Sequence, residues 1–163
     1  MSANPFLDRD VVPALYSSTD RTARRSSSLL SSKTHGHNTA DVVVGLAAET
    51  GLPPAPVIAD IGCGRGGTTV RLAARFPAAR LLPIDTSPAM VTATRARTTA
   101  DLHRISGAVG DFHALPLRDN SCDLAVAVFC LYHSRLIERS GLAAAIWFGD
   151  SWHDNYLTQP NVG

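Results

Sequence analysis

The stretch Asp60-Ile61-Gly62-Cys63-Gly64-Arg65-Gly66-Gly67 decides the fold of this 163-residue chain. Ahead of it, Pro56-Val57-Ile58-Ala59-Asp60-Ile61 is a short, nearly unbroken apolar run, the pattern of a parallel strand buried on both faces. Behind it, Thr68 to Phe76 places Thr69, Leu72, Ala73 and Phe76 on one helical face, and Pro77 closes the helix. Glycines between a strand and a helix let the backbone turn tightly and approach a ligand with no Cβ in the way. The helix start adds free N–H groups and a partial positive charge. In an open parallel sheet, ligands sit beyond the carboxyl ends of the strands, where this turn falls.

The residues around the turn narrow the ligand. Gly62, Gly64 and Gly67 satisfy GxGxxG, the dinucleotide fingerprint. Asp85 ends the next strand, where a carboxylate accepts hydrogen bonds from ribose hydroxyls in any nucleotide-like ligand. Asp60 argues against a dinucleotide, because such folds usually place an apolar residue two before the first glycine. A carboxylate there can receive a cationic amino group, directly or through water. Asp111-Phe112 ends a third strand; Asp111 can accept from an exocyclic adenine amine and Phe112 can cover the ring face. Three carboxylates at three successive strand ends suit a ligand with an ammonium, a ribose and an adenine.

The flanking sequence supplies the rest of the sheet. Asn38 or Thr39 caps a helix with Val43, Leu46 and Ala47 on its apolar stripe; Gly51 stops it and Pro53-Pro54 forbids its continuation. Arg80 to Asp85 is a second strand. Ser87-Pro88 opens a helix running to about Thr99. Ile105 to Val109 is a third strand, and the apolar run Cys122 to Phe129 a fourth, central one. Alternating strands and helices predict an α/β fold, a Rossmann-like doubly wound parallel sheet.

In this order the motifs resemble those of the class I S-adenosylmethionine-dependent methyltransferases, in particular the small-molecule group. The resemblance runs from about Val57 to His133. It rests on Asp60 to Gly66, on Ile84-Asp85-Thr86-Ser87-Pro88-Ala89-Met90, on Gly110-Asp111-Phe112 and on Leu115 to Leu124. It implies that Asp60, Gly62 and Gly64 hold the methionine part of S-adenosylmethionine. It implies that Asp85 holds the ribose, that Met90 packs on the adenine, and that Asp111 and Phe112 frame its edge and face, with Cys63, Thr86 and Gly110 also in the cofactor site. Each has a structural alternative: Asp85 as a helix cap, Met90 and Phe112 as core. Pro83 stands where the family more often has a small residue, and Cys122 where an aromatic is common.

Methyl transfer from a sulfonium is an in-line displacement, so much of the enzyme's task is alignment and exclusion of water. A base is needed only if the acceptor loses a proton. His133, after the fourth strand, is the candidate base, with a hydrogen bond to its own loop as the alternative. Phe129 and Tyr132 are placed in the acceptor pocket, and with them Tyr16, a candidate lid element folding over the cofactor.

The rest is read from composition. Fifteen basic and fourteen acidic side chains give a net charge of +1, which offers no basic face to nucleic acid or to a membrane surface. The longest apolar run, Leu124 to Tyr132, is too short to cross a bilayer. Cys63, Cys122 and Cys130 lack metal-ligand or resolving-pair spacing, so no metal site is expected and a reducing, cytoplasmic location is. Residues 1–37 read as a polar arm and 38–163 as the S-adenosylmethionine-binding domain, divergent and short from about 134. Against the family's seven-strand sheet the chain reads as incomplete after Leu142 to Phe148, a fifth strand with no charge or proline to protect it. Self-association, or a partner chain, through that sheet edge is therefore expected. The leading function is methyl transfer to a small-molecule acceptor. The alternative is a non-catalytic cofactor-binding or partner subunit, including a truncated, inactive fragment.

Overall fold

The computed structural model describes residues 33–34, 37–128, 130 and 145–148, with side chains from 38 to 128 and at 130. Helix α1 (Thr39–Glu49) begins at Asn38, whose Oδ1 accepts the Ala40 N–H at 3.0 Å. Just before it, Lys33–Thr34 pairs antiparallel with His37–Asn38, so the end of the expected arm carries a short ladder. Then come β1 (Val57–Ile61), α2 (Gly67–Arg75), β2 (Arg80–Asp85) and α3 (Pro88–Arg97). The described chain continues with β3 (Ala108–Val109), β4 (Leu124–Val128) and β5 (Ala145–Phe148).

The five strands form one parallel sheet in the order β3-β2-β1-β4-β5. The chain builds outward from β1 through β2 to β3, then returns to the other side of β1 for β4. The switch point therefore lies at the carboxyl ends of β1 and β4, and the glycine turn leaves β1 there. Asp123 fixes the opposite end. Its Oδ2 accepts the Val57 N–H and its own N–H donates to the Val57 carbonyl, both at 2.8 Å. That double bond sets the register in which Ile61 lies between Ile84 and Ala127.

Alternation along β1 divides the core into two faces. Ile58 joins Val43, Val44 and Ala47 of α1, Leu72 and Ala73 of α2, and Leu81, Leu124 and Val126. Ala59 and Ile61 point the other way, onto Ile84, Ala125, Ala127 and Cys130, with Leu82, Phe112, Leu115 and Leu117 packed against them. By the same alternation Asp60 turns to the Ile58 face, toward α2.

The third strand departs from expectation. Ile105 makes only an isolated bridge to Leu81, and regular pairing starts at Ala108 opposite Ile84. Leu81 exchanges both its backbone bonds with Arg104 and Ser106. The next donor in the alternation is Pro83, which has no N–H, so the ladder breaks there. The unusual proline costs the sheet part of an outer strand and leaves its central pairs intact. The fourth strand starts at Leu124, two residues later than expected, because Asp123 is spent on β1 and Cys122 stays half-buried outside the ladder. Of the expected fifth strand, residues 145–148 pair with β4; 142–144 lie outside the described residues.

Candidate functional site

Gly62, Gly64 and Gly66 all have positive φ, at 67°, 53° and 77°. Two of them are closed in by protein. A Cβ on Gly62 would run into the Cβ and Sγ of Cys130, and one on Gly66 would lie 2.9 Å from both Thr94 Cγ2 and Oγ1. Around Gly64 a Cβ would meet none of the described residues within 4 Å. The middle of the turn is thus open to a ligand while its shoulders are packed.

Neighbouring elements hold this shape. The Cys63 N–H donates to the Ile84 carbonyl at 3.0 Å, and the Gly66 N–H to the Cys63 carbonyl at 2.9 Å. Asp85 Oδ2 accepts the Gly64 N–H at 2.9 Å, while its Oδ1 accepts the Ser87 N–H at 2.9 Å. One carboxylate therefore joins the glycine turn to the start of α3. It does not cap that helix; Ser87 does, through Oγ to the Met90 N–H. Thr94, fully buried on α3, donates its hydroxyl to the Gly64 carbonyl at 2.9 Å. Cys130 donates its thiol to the Ile61 carbonyl at 3.2 Å, tying the residue beyond β4 to the start of the turn.

Asp60 is 2% exposed. The Thr69 hydroxyl, on the first turn of α2, donates to its Oδ2 at 2.5 Å. Burial pushes the carboxyl up to about 7 and the neighbouring Asp85 charge adds to this, while the hydroxyl and backbone N–H of Thr69 pull it back down. Burial also holds the thiols of Cys63 and Cys130 well above the usual range, with Asp60 and Asp85 contributing, so both stay protonated. A buried carboxyl poised near neutrality, beside an open backbone turn, is suited to a cationic group.

The third strand end lies against this pair. The Gly110 N–H donates to the Asp85 carbonyl at 3.0 Å, and a Cβ on Gly110 would lie 2.6 Å from Pro116 Cδ. Asp111 Oδ1 accepts the His113 N–H at 2.8 Å and lies 2.8 Å from His113 Nδ1. The Phe112 and His113 rings sit 4.4 Å apart and tilted by 37°. Asp60, Asp85 and Asp111 are thus brought to adjoining strand ends, together with Gly62, Cys63, Gly64 and the half-exposed Thr86. Met90 is 2% exposed and Phe112 packs on the second core face. Tyr16, Phe129, Tyr132 and His133 lie outside the described residues. Sequence reading missed Thr69, Thr94, His113 and the role of Cys130. Among the described residues no group of three or more His, Cys, Asp or Glu is placed to hold a metal ion, and no helix is long and apolar enough to cross a membrane.

A doubly wound parallel sheet with an open glycine turn and acidic strand ends at its switch point defines a nucleotide-type ligand fold. Within that class the chain belongs to the methyltransferase domain family, whose model matches residues 58–146. It is 42% identical over 66 residues to the trans-aconitate 2-methyltransferase of Methylobacterium radiotolerans, covering 40% of this chain and 24% of that protein. It is 30% identical over 119 residues to the malonyl-[acyl-carrier protein] O-methyltransferase of Geobacter sulfurreducens, covering 66% and 44%. The chain thus spans less than half the length of these relatives. Its fold is similar to that of magnesium protoporphyrin IX methyltransferase from Synechocystis, solved with bound SAH. The TM-score is 0.59 at 24% identity, over 77% of this chain and 60% of that one.

The Asp60 environment has a consequence for stability. An acid with a raised folded-state pKa binds more protons folded than unfolded between its ordinary value, near 3.8, and about 7. Its contribution therefore favours folding at low pH and is lost as pH rises through that window. Asp60→Asn should remove the loss, making the variant more stable than the parent at pH 8, by an amount on the order of 4 kcal/mol, and nearly equal to it at pH 4. Urea melts at the two pH values check this; a parent–variant difference that does not change with pH contradicts it.

Proposed function

We propose that this chain binds S-adenosylmethionine at the glycine turn and transfers its methyl group to a small-molecule acceptor. The observation that carries the proposal is Asp60, buried beside a turn whose middle glycine is open, within the segment the methyltransferase model matches. When bound, S-adenosylmethionine supplies a methyl group already activated on a sulfonium. The chain's own part is to bind and align. Asp60 receives the ammonium, Asp85 the ribose hydroxyls, and Asp111 with Phe112 the adenine edge and face. The same Asp85 carboxylate accepts the Gly64 and Ser87 N–H groups, which fixes its place at the end of β2. A net charge of +1 supports a small acceptor over nucleic acid. The three free cysteines support a reducing, cytoplasmic setting.

Asp85→Ala should weaken S-adenosylmethionine binding by about 1.5–3 kcal/mol, the range for a hydrogen bond to a charged group. Calorimetry with S-adenosylmethionine, S-adenosylhomocysteine and NADH decides it. Affinity for NADH alone, or equal affinity in parent and variant, overturns the assignment.

The acceptor chemistry sets what His133 does. The two relatives act, by their names, on trans-aconitate and on malonyl-[acyl-carrier protein], both of which carry carboxylates. A carboxylate is already ionised at neutral pH and needs no base, whereas a hydroxyl acceptor must lose a proton. His133→Ala should therefore cost about 10²–10⁴-fold in rate on a hydroxyl acceptor and little on trans-aconitate. A rate unchanged on every acceptor removes His133 from the chemistry. Binding without turnover on any acceptor returns the chain to a non-catalytic cofactor-binding subunit.

For the partner, the proposal is self-association along β5, the outer strand of the described sheet, where Ala145-Ile146-Trp147-Phe148 has neither charge nor proline. Light scattering at micromolar concentration should find a dimer or larger species; a monodisperse monomer contradicts it.

A further inference from the structure

We propose that Thr69 is the positioning residue for cation recognition, its hydroxyl orienting the buried Asp60 carboxylate as an acceptor for the ligand's ammonium group. The proposal rests on the cofactor reading above and assigns a role to a residue outside the sequence motif. Thr69 is fully buried and Asp60 is 2% exposed, so neither side chain can turn to solvent for a partner. Their 2.5 Å bond runs from the end of β1 to the first turn of α2 and closes the glycine turn between them. A threonine on a helix commonly gives its hydroxyl to a carbonyl one turn back. Here the only proton of the hydroxyl goes to Asp60 instead, which fixes that oxygen and the plane of the carboxylate.

The groups acting on Asp60 show what is lacking. From β2 comes Asp85, a like charge; from the turn Cys63 and from beyond β4 Cys130, both protonated thiols; from α2 the hydroxyl and backbone N–H of Thr69. Among the described residues no basic side chain acts on it. Thr69 supplies the hydrogen bonds that let a buried carboxylate exist, and the compensating positive charge is left to the ligand.

The test compares two ligands that share the adenosine and sulfur but not the ammonium: S-adenosylhomocysteine and 5′-methylthioadenosine. Thr69→Val should weaken S-adenosylhomocysteine about tenfold or more at pH 7 and change 5′-methylthioadenosine by less than about twofold. Thr69→Ser, which keeps the hydroxyl, should recover S-adenosylhomocysteine to within about threefold of the parent. The affinity ratio of the two ligands in the parent should rise as pH increases through 7, below the pKa of the ligand's amino group, and Thr69→Val should move that rise to higher pH. Equal loss of both ligands in Thr69→Val, or a pH-independent ratio in the parent, overturns the proposal. If the parent binds neither ligand, the cofactor reading itself falls and the proposal with it. The parent's pH profile is decisive even where Thr69→Val fails to fold.

Discussion

A left-handed backbone repeated three times within five residues is the constraint on which the site depends. Glycine permits such a turn but does not enforce it, because a flexible glycine run samples many shapes. Enforcement comes from other elements. Cys130 fills the space over Gly62, Thr94 fills the space at Gly66 and holds the Gly64 carbonyl, and Asp85 holds the Gly64 N–H. These contacts come from the segment just beyond β4, from α3 and from β2, so the turn keeps its form only if the strands are in register. The register in turn depends on Asp123 at the far end of β1. Precision at the carboxyl end of the sheet is set partly at its amino end.

The same arrangement explains why a carboxylate survives in the core. Asp60 sits on the apolar face with Ile58, where a hydrophobic side chain would stabilise the fold more. Its burial opposes ionisation and Asp85 adds repulsion, so the folded chain retains an acid out of place for stability alone. Groups that weaken a fold and are nevertheless held by specific hydrogen bonds mark ligand sites more often than structural ones. The Thr69 bond puts that mark beside Gly64, the glycine of the turn that the described residues leave open.

Much of this was legible in the sequence because it is local. The caps at Asn38 and Ser87, the strand from Arg80 to Asp85 and the turn itself follow from residue types within a few positions of one another. The acidic strand ends were legible as a pattern of three, since a parallel sheet necessarily brings successive strand ends together. The partners of those acids were not. Thr69, nine residues from Asp60, reads as an ordinary apolar-face position of α2; Thr94 and Cys130 reach the turn from 30 and 69 residues away. Their hydroxyls and thiol carry no periodic signal, so only the folded register reveals them. His113 adjoins the Asp111-Phe112 pair but took no role, because its bond folds back two residues onto Asp111.

Pro83 shows the opposite case, a residue whose oddity was legible and whose effect was not. A proline inside a strand argues against a central position, yet β2 pairs with β1 without a break from Arg80 to Ile84. The resolution lies in the two sides of a parallel strand, whose residues direct their backbone bonds alternately to one neighbour and then the other. Pro83 falls where the missing N–H would have faced β3, so the loss is confined to the outer pairing, and Ile105 is left with a single bridge. The break lies before Ile84, and pairing resumes in time for the Asp85 carbonyl to accept the Gly110 N–H. That bond is what sets Asp111 beside Asp85. The sheet thus gives up order two residues short of the site and recovers it where the acidic strand ends have to meet.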